Sequence, residues 1–590
     1  MGDSPDVKVA DLAKRCDPAI SEMIKNMENS KPGHKRVFQK LPNHLRRRAM
    51  SYDIKKVPKK MRKSVEEQVA GAAQAKARNK PSGRDPNQFR AHGRELCKHR
   101  NEKHKWLETH LWHAKRFHIK DLWGWKIPYS PTMKGTRSMI RQTSETSTLR
   151  DISYTNIIDI KGSLETINER LQSMVAPDTY IEPSLRSLFE LDLYPPNKYP
   201  ECAIGPAQFY RISGDHLWCI CHPLLTSVII SSLEGLQVRS LEGEINIFEL
   251  FGPKSTENIL KALPPNKENS EQLVNTLYSL KGPGTVPPGF SISYISSDPR
   301  SVPSEYTREV TGTPVDIFSQ PDLVQSLSDS SLFNGCSECP IPSNQNFNAE
   351  RAKLLFPSAD GPTGRLPLIL IQRVTFSKFG SSWIMILPFG TGAAAWRSLV
   401  KTGARAIGLE ESRLIELESN KFAFPQSRPE TEEGFKEWTR EMLELTKENN
   451  SKPPGKRIDL SFFEFPTPFY LTKEPIDDAF ARVKIVCCRR GSPSRFAILY
   501  VPEKEDIESI GKVIELKGER KRIGVVSDGR NSLLAGKGKG IGFVNSLSFE
   551  ELPSSFDLSI NVEKPKNGAR LAMMKEQGSQ FYHHVWLYLI

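Results

Sequence analysis

Between His92 and Lys126 the chain reads HGRELCKHRNEKHKWLETHLWHAKRFHIKDLWGWK, its densest mixture of cations and rings. Lys and Arg neutralise phosphates and release the counterions condensed on a polyanion. Trp, Phe and His offer flat faces on which splayed bases stack, largely irrespective of sequence. Holding folded RNA is the chemistry these types suit, and Trp106, His110, Trp112, His113, Lys115, Arg116, Phe117 and His118 are the candidates. A plainer reading stands beside it. Leu107, Leu111, Ala114 and Phe117 recur three or four positions apart, which predicts a helix from Arg94 to Leu122 docked on a core by one apolar seam. Trp106 or Trp112 would then be a core anchor. Three tryptophans, with Trp123, exceed what one seam requires.

Catalytic and metal readings of these residues are weaker. His110 and His113 stand at i, i+3, but His118 is out of phase, and Glu108 and Asp121 do not complete a ligand set. On so basic a segment the imidazoles suit phosphate. Cys336-Ser-Glu-Cys339 is a lone C-x-x-C without a second pair, best read as loop thiols. Gly390-Thr-Gly392 precedes a helical pattern but lacks the Lys-Ser/Thr of a nucleotide loop. No G-x-S-x-G or H-E-x-x-H occurs.

The elements that would position such a site begin upstream. Arg46, Arg47, Arg48, Lys55, Lys56, Lys59, Lys60 and Arg62 are interrupted by Pro42 and Pro58, so this segment cannot form one long helix and should run extended over its partner. KKVPKKMRK would also serve nuclear import; a disordered basic tail is the alternative. Residues 35–126 hold 26 Lys plus Arg against 8 Asp plus Glu, whereas the remainder holds 57 against 61. The net charge of +14 thus sits in one block, as a polyanion partner would require. Nine scattered cysteines and no secretory h-region suggest a reducing compartment. No apolar run approaches eighteen residues, so no membrane span is expected.

Beyond Trp125 the composition is globular. The first thirty residues predict a short helix. Leu149–Ile160 reads as a strand and Gly162–Leu171 as its helix; Ile212–Leu233 and Glu244–Leu263 repeat the theme, giving an α+β body. Residues 264–364, rich in Pro, Ser, Gly and Asn, read as long loops or an insertion. Strands follow at Leu366–Val374 and Ser381–Gly390, then a helix from about Ala393, another strand with its helix, and a charged helix over Gly434–Asn450. Pro453 and Pro454 mark a boundary before a β-rich end that closes with FYHHVWLYLI. The domains expected are 1–91, a basic arm; 92–126, a basic aromatic helix; 127–450, the α+β core; and 451–590, a β-rich domain. Lys452, Lys456 and Arg457, then Lys517, Arg520, Lys521 and Arg522, form a third candidate RNA-binding set, and Arg530, Lys537 and Lys539 extend that surface.

HLRRRAMSYDIKKVPKKMR and WLETHLWHAKRFHIKDLWGW together resemble the Pop-one (processing of precursors) family, the largest protein subunit of eukaryotic ribonuclease P and ribonuclease MRP. The resemblance resumes at Ser451–Arg457 and over Trp383–Trp438. It implies a non-catalytic scaffold that braces a catalytic RNA during precursor tRNA 5′-leader removal and pre-rRNA processing, in the nucleus and nucleolus. Its partners would be the ribonuclease P and MRP RNAs and other protein subunits, with precursor tRNA met indirectly and no membrane. No cofactor is expected in the protein; Mg ions belong to the RNA. A second resemblance concerns fold: DISYTNIIDIKGSLETI, ELFGPKSTENILKAL, GARAIGLEESRLIELES and IGVVSDGRNSLLAGKGKGIGFV follow the order of the glycine-cleavage T-protein. It implies an aminomethyltransferase-like α+β core with a C-terminal β-barrel-like domain. The catalytic Asp of that family would fall near Ser227, and no Asp or Glu lies between His216 and Ser232, so the activity should be lost. An active folate-dependent or RNA-modifying transferase, and a general RNA chaperone, are the alternative functions.

Overall fold

Three strands that end alike show how apolar alternation sets the architecture: Ile245-Asn-Ile-Phe-Glu249, Leu368-Ile-Leu-Ile-Gln-Arg373 and Leu188-Phe-Glu-Leu-Asp192. Side chains two apart share a face of a strand. Each inner face therefore runs apolar and then turns charged at one end.

The computed structural model describes residues 9–29, 54–70 apart from 68, 104–300 apart from 180, 182–186 and 267, 330–334, 365–373, and 379–590 apart from 467–468, 472–478, 490, 511–513, 516–519 and 555–567. Two units divide the chain, residues 1–100 and 101–590. In the first, helix α1 (Val9–Asn29) is the helix expected near the start. Short 3-10 turns at Ile54–Lys56 and Lys59–Met61 follow, with Val57 and Val65 buried against Met61.

The second unit opens with β1 (Lys105–Trp106), the four-residue helix α2 (His110–His113), β2 (Phe117–Leu122) and β3 (Trp125–Pro131), whose strands lie in the order β1-β3-β2. In its described part the long helix expected over Arg94–Leu122, and with it the helical domain 92–126, is replaced by strand, turn and hairpin. The apolar seam is broken: Leu107 and Phe117 are buried, but Leu111 is 62% exposed and Ala114 is exposed. The decisive signal is Trp123-Gly124. Both residues take positive φ (55° and 79°), as a two-residue hairpin turn matched to strand twist requires, and Leu122 pairs with Trp125 across it.

Next come α3 (Thr136–Glu145), β4 (Thr148–Asp151), β5 (Asn156–Lys161), α4 (Leu164–Ser173), β6 (Leu188–Leu193), β7 (Gly205–Ser213), β8 (His216–Cys221), α5 (Thr226–Ser232), β9 (Gln237–Ser240), β10 (Ile245–Phe251) and α6 (Ser255–Ala262). The single strand expected over Leu149–Ile160 is two strands in different sheets, separated by the turn at 152–155. After them lie α7 (Glu271–Ser279), β11 (Ser291–Ser297), β12 (Arg365–Arg373), β13 (Ser382–Pro388), α8 (Gly392–Lys401), β14 (Arg405–Ala406), α9 (Leu409–Glu418) and α10 (Glu432–Ser451). Two of these elements correct the loop reading of 264–364. Ser270 caps α7 by accepting the Leu273 N–H, and β11 alternates Ile292 and Tyr294 into the core. The Cys336–Cys339 pair lies outside the described residues.

These strands form two sheets, β6-β7-β8-β5-β9 and β11-β12-β13-β10-β4-β14, antiparallel except for the short β14 beside β4. Their inner faces share one core: Ile157, Tyr210, Trp218 and Ile220 meet Ile247, Ile369, Ile371 and Ile386. Helices α4 and α5 cover the outer face of the first sheet through Ile167, Leu171 and Ile229. Helices α6, α7 and α8 cover the second through Leu260, Leu277 and Trp396. The result is four layers, helix–sheet–sheet–helix.

The C-terminal strands are β15 (Tyr470–Leu471), β16 (Ala479–Cys487), β17 (Ile498–Tyr500), β18 (Ile514–Glu515), β19 (Arg522–Asn531), β20 (Gly538–Asn545), β21 (Arg570–Lys575) and β22 (Phe581–Leu589). Six of them close a circle, β16-β20-β19-β17-β21-β22, because β22 returns to pair with β16. Val483, Ile485, Leu499, Val544, Val585 and Leu587 fill its interior. Gly542 lets two strands approach: a Cβ there would stand 2.3 Å from the Val525 carbonyl oxygen. Among the described residues no helix is long and apolar enough to cross a membrane.

Candidate nucleic-acid interface

Glu108 and Thr109 fix the basic aromatic motif to the body. The Glu108 carboxylate accepts the Gly390 N–H, with further backbone bonds from Gly392 and Ala393, at the N-terminus of α8. That terminus carries unpaired N–H groups and partial positive charge, so it suits an anion. An internal carboxylate, not a nucleotide phosphate, fills the Gly-Thr-Gly turn. Burial raises the Glu108 carboxyl above its usual range, and the three N–H groups oppose the shift. The Thr109 hydroxyl donates to Asp151 at the end of β4.

Most of the motif's rings face inward. Trp112 meets the fully buried Trp396 of α8 edge-on, with centroids 5.5 Å apart, and the Arg116 guanidinium lies 4.4 Å over the Trp112 ring. His113 packs 4.6 Å from Trp396 and 5.3 Å from the buried Phe117. Trp106 stacks on His110 at 4.3 Å, and Trp123 meets His222 at 4.3 Å. The structure thus gives Trp112, His113 and Phe117 packing roles, and Trp106 with His110 a mutual stack. Stacking on bases would require undoing these contacts.

The cations point outward instead. Lys115, Arg116, His118 and Lys120 are exposed on and before β2, and Lys134, Arg137 and Arg141 continue the run through the turn into α3. Lys115, Lys134, Arg137 and Arg141 have no ion pair among the described residues. Sequence reasoning missed the last three, although Arg137 and Arg141 stand at i, i+4, one face of a helix.

The other candidates divide. Arg46, Arg47, Arg48 and Lys517 lie outside the described residues, as does the side chain of Lys56. Lys55, Lys59 and Lys60 are exposed, whereas Arg62 spends its guanidinium on the Val57 and Lys55 carbonyls at 3.2 and 3.0 Å. Lys452, Lys456 and Arg457 are exposed around the 3-10 turn Pro454–Lys456. In the barrel, Arg520 is buried in a two-pronged pair with Asp506 at 2.8 Å and lies over Tyr582. Lys521 pairs with Glu551, Arg522 donates to the Phe462 carbonyl, Arg530 pairs with Glu410, and Lys539 is buried on the Glu418 carbonyl. The second basic surface expected there is largely engaged from within. No group of three His, Cys, Asp or Glu among the described residues is placed to hold a metal.

His113 supplies a pH prediction. Burial, reinforced by His110 and Arg116, depresses its pKa to about 3, against a weaker opposing bond from Nδ1–H to the Thr109 carbonyl at 3.1 Å. The unfolded chain therefore binds this proton more readily than the folded one. Stability from this group is full above the unfolded value near 6.5 and falls as pH drops toward 3. At pH 5 the loss is about 2 kcal/mol. Urea unfolding at pH 7.5 and 5.0 checks it: His113→Gln should show a smaller acid loss than the parent chain.

A two-sheet α+β body, a closed barrel and an outward basic run on a clamped hairpin define the class: a mixed α+β protein with a surface suited to a polyanion. Family models match "Ribonucleases P/MRP protein subunit POP1, N-terminal" over residues 16–97 and 74–163, "POPLD (NUC188) domain" over 382–473, and "POP1 C-terminal domain" over 512–590. The chain belongs to the POP1 family. It is 24% identical to the ribonucleases P/MRP protein subunit POP1 of Homo sapiens, covering 74% of this chain and 56% of the relative. To the subunit popl-1 of Caenorhabditis elegans it is 23% identical, covering 84% and 74%. To POP1 of Saccharomyces cerevisiae it is 24% identical, covering 64% and 48%, so the chain spans about half the length of some relatives. Among solved structures it resembles the glycine cleavage system aminomethyltransferase T of Bartonella henselae, at 12% identity and TM-score 0.43, covering 82% of this chain and 96% of that one.

Proposed function

We propose that the chain is a non-catalytic RNA-binding scaffold subunit of ribonuclease P and ribonuclease MRP, bracing the catalytic RNA for precursor tRNA 5′-leader removal and pre-rRNA processing. The outward run of Lys115, Lys134, Arg137 and Arg141, above rings that pack inward, is the observation that carries this reading. The names of the relatives support the particle. Fixed cations without internal partners lower the repulsion between RNA phosphates and release counterions. With the rings packed inward, the contacts are to phosphate, ribose and shape, as A-form RNA favours. The partners are the ribonuclease P and MRP RNAs and neighbouring protein subunits; Mg ions sit on the RNA, and the setting is nuclear and nucleolar.

The triple variant Lys134→Glu, Arg137→Glu, Arg141→Glu tests it in filter binding to ribonuclease P RNA across a salt series. Affinity should fall about 100-fold at low salt, with the salt slope reduced by roughly 2 to 3. The melting temperature should stay within a degree or two, because these side chains are exposed. Unchanged affinity and slope would remove the surface from the interface.

A further inference from the structure

The rings of the basic motif pack inward, but one ring on the element beside it does not. Phe389, at the turn into α8, is 54% exposed, the most of any Phe, Tyr or Trp among the described residues. The backbone that carries it is held by hydrogen bonds. Its own N–H donates to the Glu244 carbonyl at 2.9 Å, and the next N–H goes to Glu108. The Pro388 carbonyl before it accepts from the Thr391 hydroxyl at 2.8 Å and the Asn246 amide at 3.3 Å. Gly390 takes φ 92°, the left-handed conformation that glycine adopts without strain. The ring is therefore presented by a fixed turn rather than a loose one.

A single exposed ring needs no explanation, but Phe389 has company. The exposed Leu111 follows three residues after Glu108, so the two apolar side chains flank the same clamp. From Phe389 an i+4 series runs up α8 through the half-buried Ala393 to Arg397 and Lys401, and residues so spaced share one face of a helix. Arg397 and Lys401 are exposed, stand about 6 Å apart along the axis, and have no ion pair among the described residues. Helical side chains lean toward the N-terminus, here toward Phe389. The helix contains no Asp or Glu, and the contact between Trp112 and Trp396 brings Arg116 to its flank. Acids near the turn are matched, Glu244 by Arg239 and Glu242 by Lys105. The face is thus apolar where it begins and cationic beyond.

We propose that this face of α8 receives an unpaired nucleotide of an RNA, its base stacked on Phe389 and Leu111 and the adjoining phosphates held by Arg397 and Lys401. A nucleotide supplies both complements at once, a flat face for the ring and negative charge on the same strand for the cations. Stacking tolerates any base, so the site selects a base free of its helix rather than a sequence. The inference rests on the scaffold reading and adds to it. The cations of α3 hold phosphates whether the strand is paired or not, whereas Phe389 requires a base that has left the duplex.

Two hairpin RNAs of equal length, one with a fully paired stem and one with a single bulged 2-aminopurine, test it on the full chain at low salt. The bulged hairpin should bind about tenfold more tightly, the effect of one stacked base, and its fluorescence should be quenched on binding. Phe389→Ala should abolish both the preference and the quench while leaving affinity for the paired hairpin unchanged, and Phe389→Tyr should keep both. If the alanine variant fails to fold, the comparison of the two hairpins on the native chain still decides. Equal binding of the two, or a quench that survives in Phe389→Ala, overturns the proposal and leaves the exposed pair to a protein neighbour. That result spares the scaffold reading, because the cations of α3 still hold both hairpins. Binding of neither hairpin overturns both readings.

Discussion

Trp396→Ala should destabilise the body by about 3–5 kcal/mol, the range for removing a fully buried aromatic ring. The ring meets Phe248 at 5.4 Å on the sheet side and Trp112 and His113 on the other, so its loss opens a void between α8 and the clamped motif. Trp112→Ala removes the half-buried partner of the same contact. It should also lower the melting temperature, while RNA affinity per folded molecule stays close to that of the parent. Urea midpoints followed by circular dichroism, with binding measured on the folded fraction, separate the outcomes. An unchanged midpoint for Trp112→Ala together with lost RNA affinity would return that ring to the RNA.

Glu249→Gln should cost a similar amount. Glu249 is fully buried on β10, bonded to Arg373 at 2.7 Å and 3.9 Å from Arg150. Removing the charge while keeping the shape leaves two guanidiniums facing each other with less compensation. Breaking a buried pair from one side costs about 3–5 kcal/mol, whereas replacing both partners is often far milder. Arg373→Met in the Glu249→Gln background should therefore recover part of the loss, and the double-mutant cycle should give a coupling of more than about 1 kcal/mol. Additive losses would mean that these charges do not act as a network.

Strands whose faces alternate were the legible part of this chain. LPLILIQR, SSWIMILPFG and FYHHVWLYLI hold strands where their patterns place them, and the charged helix at 432–451 and the C-terminal barrel follow the same rule. The segment 104–131 departs from the helical expectation because Leu107, Leu111, Ala114 and Phe117 fit a helical period by coincidence, while Trp123-Gly124 between alternating runs is the stronger local signal. Tertiary contacts overrode the period: Glu108 is drawn to the α8 terminus and Trp112 to Trp396, positions 282 and 284 residues further along the chain, and no local pattern announces such partners. The rings were legible as a cluster, but which way they would turn was not. Arg520 illustrates the same limit for charge, since a basic run does not reveal that Asp506 waits beneath one of its members.

The clamp at Glu108 has a bearing on genetics. Because the tract that looks made for RNA is riveted to α8 and β4 through two adjacent side chains, inherited substitutions there should first deplete the protein from cells, as a marginally stable fold is triaged by proteolysis. Alleles in the tract should then behave as dosage lesions, partly relieved at lower growth temperature. Alleles at Arg137 or Arg141 should leave abundance normal and resist such relief.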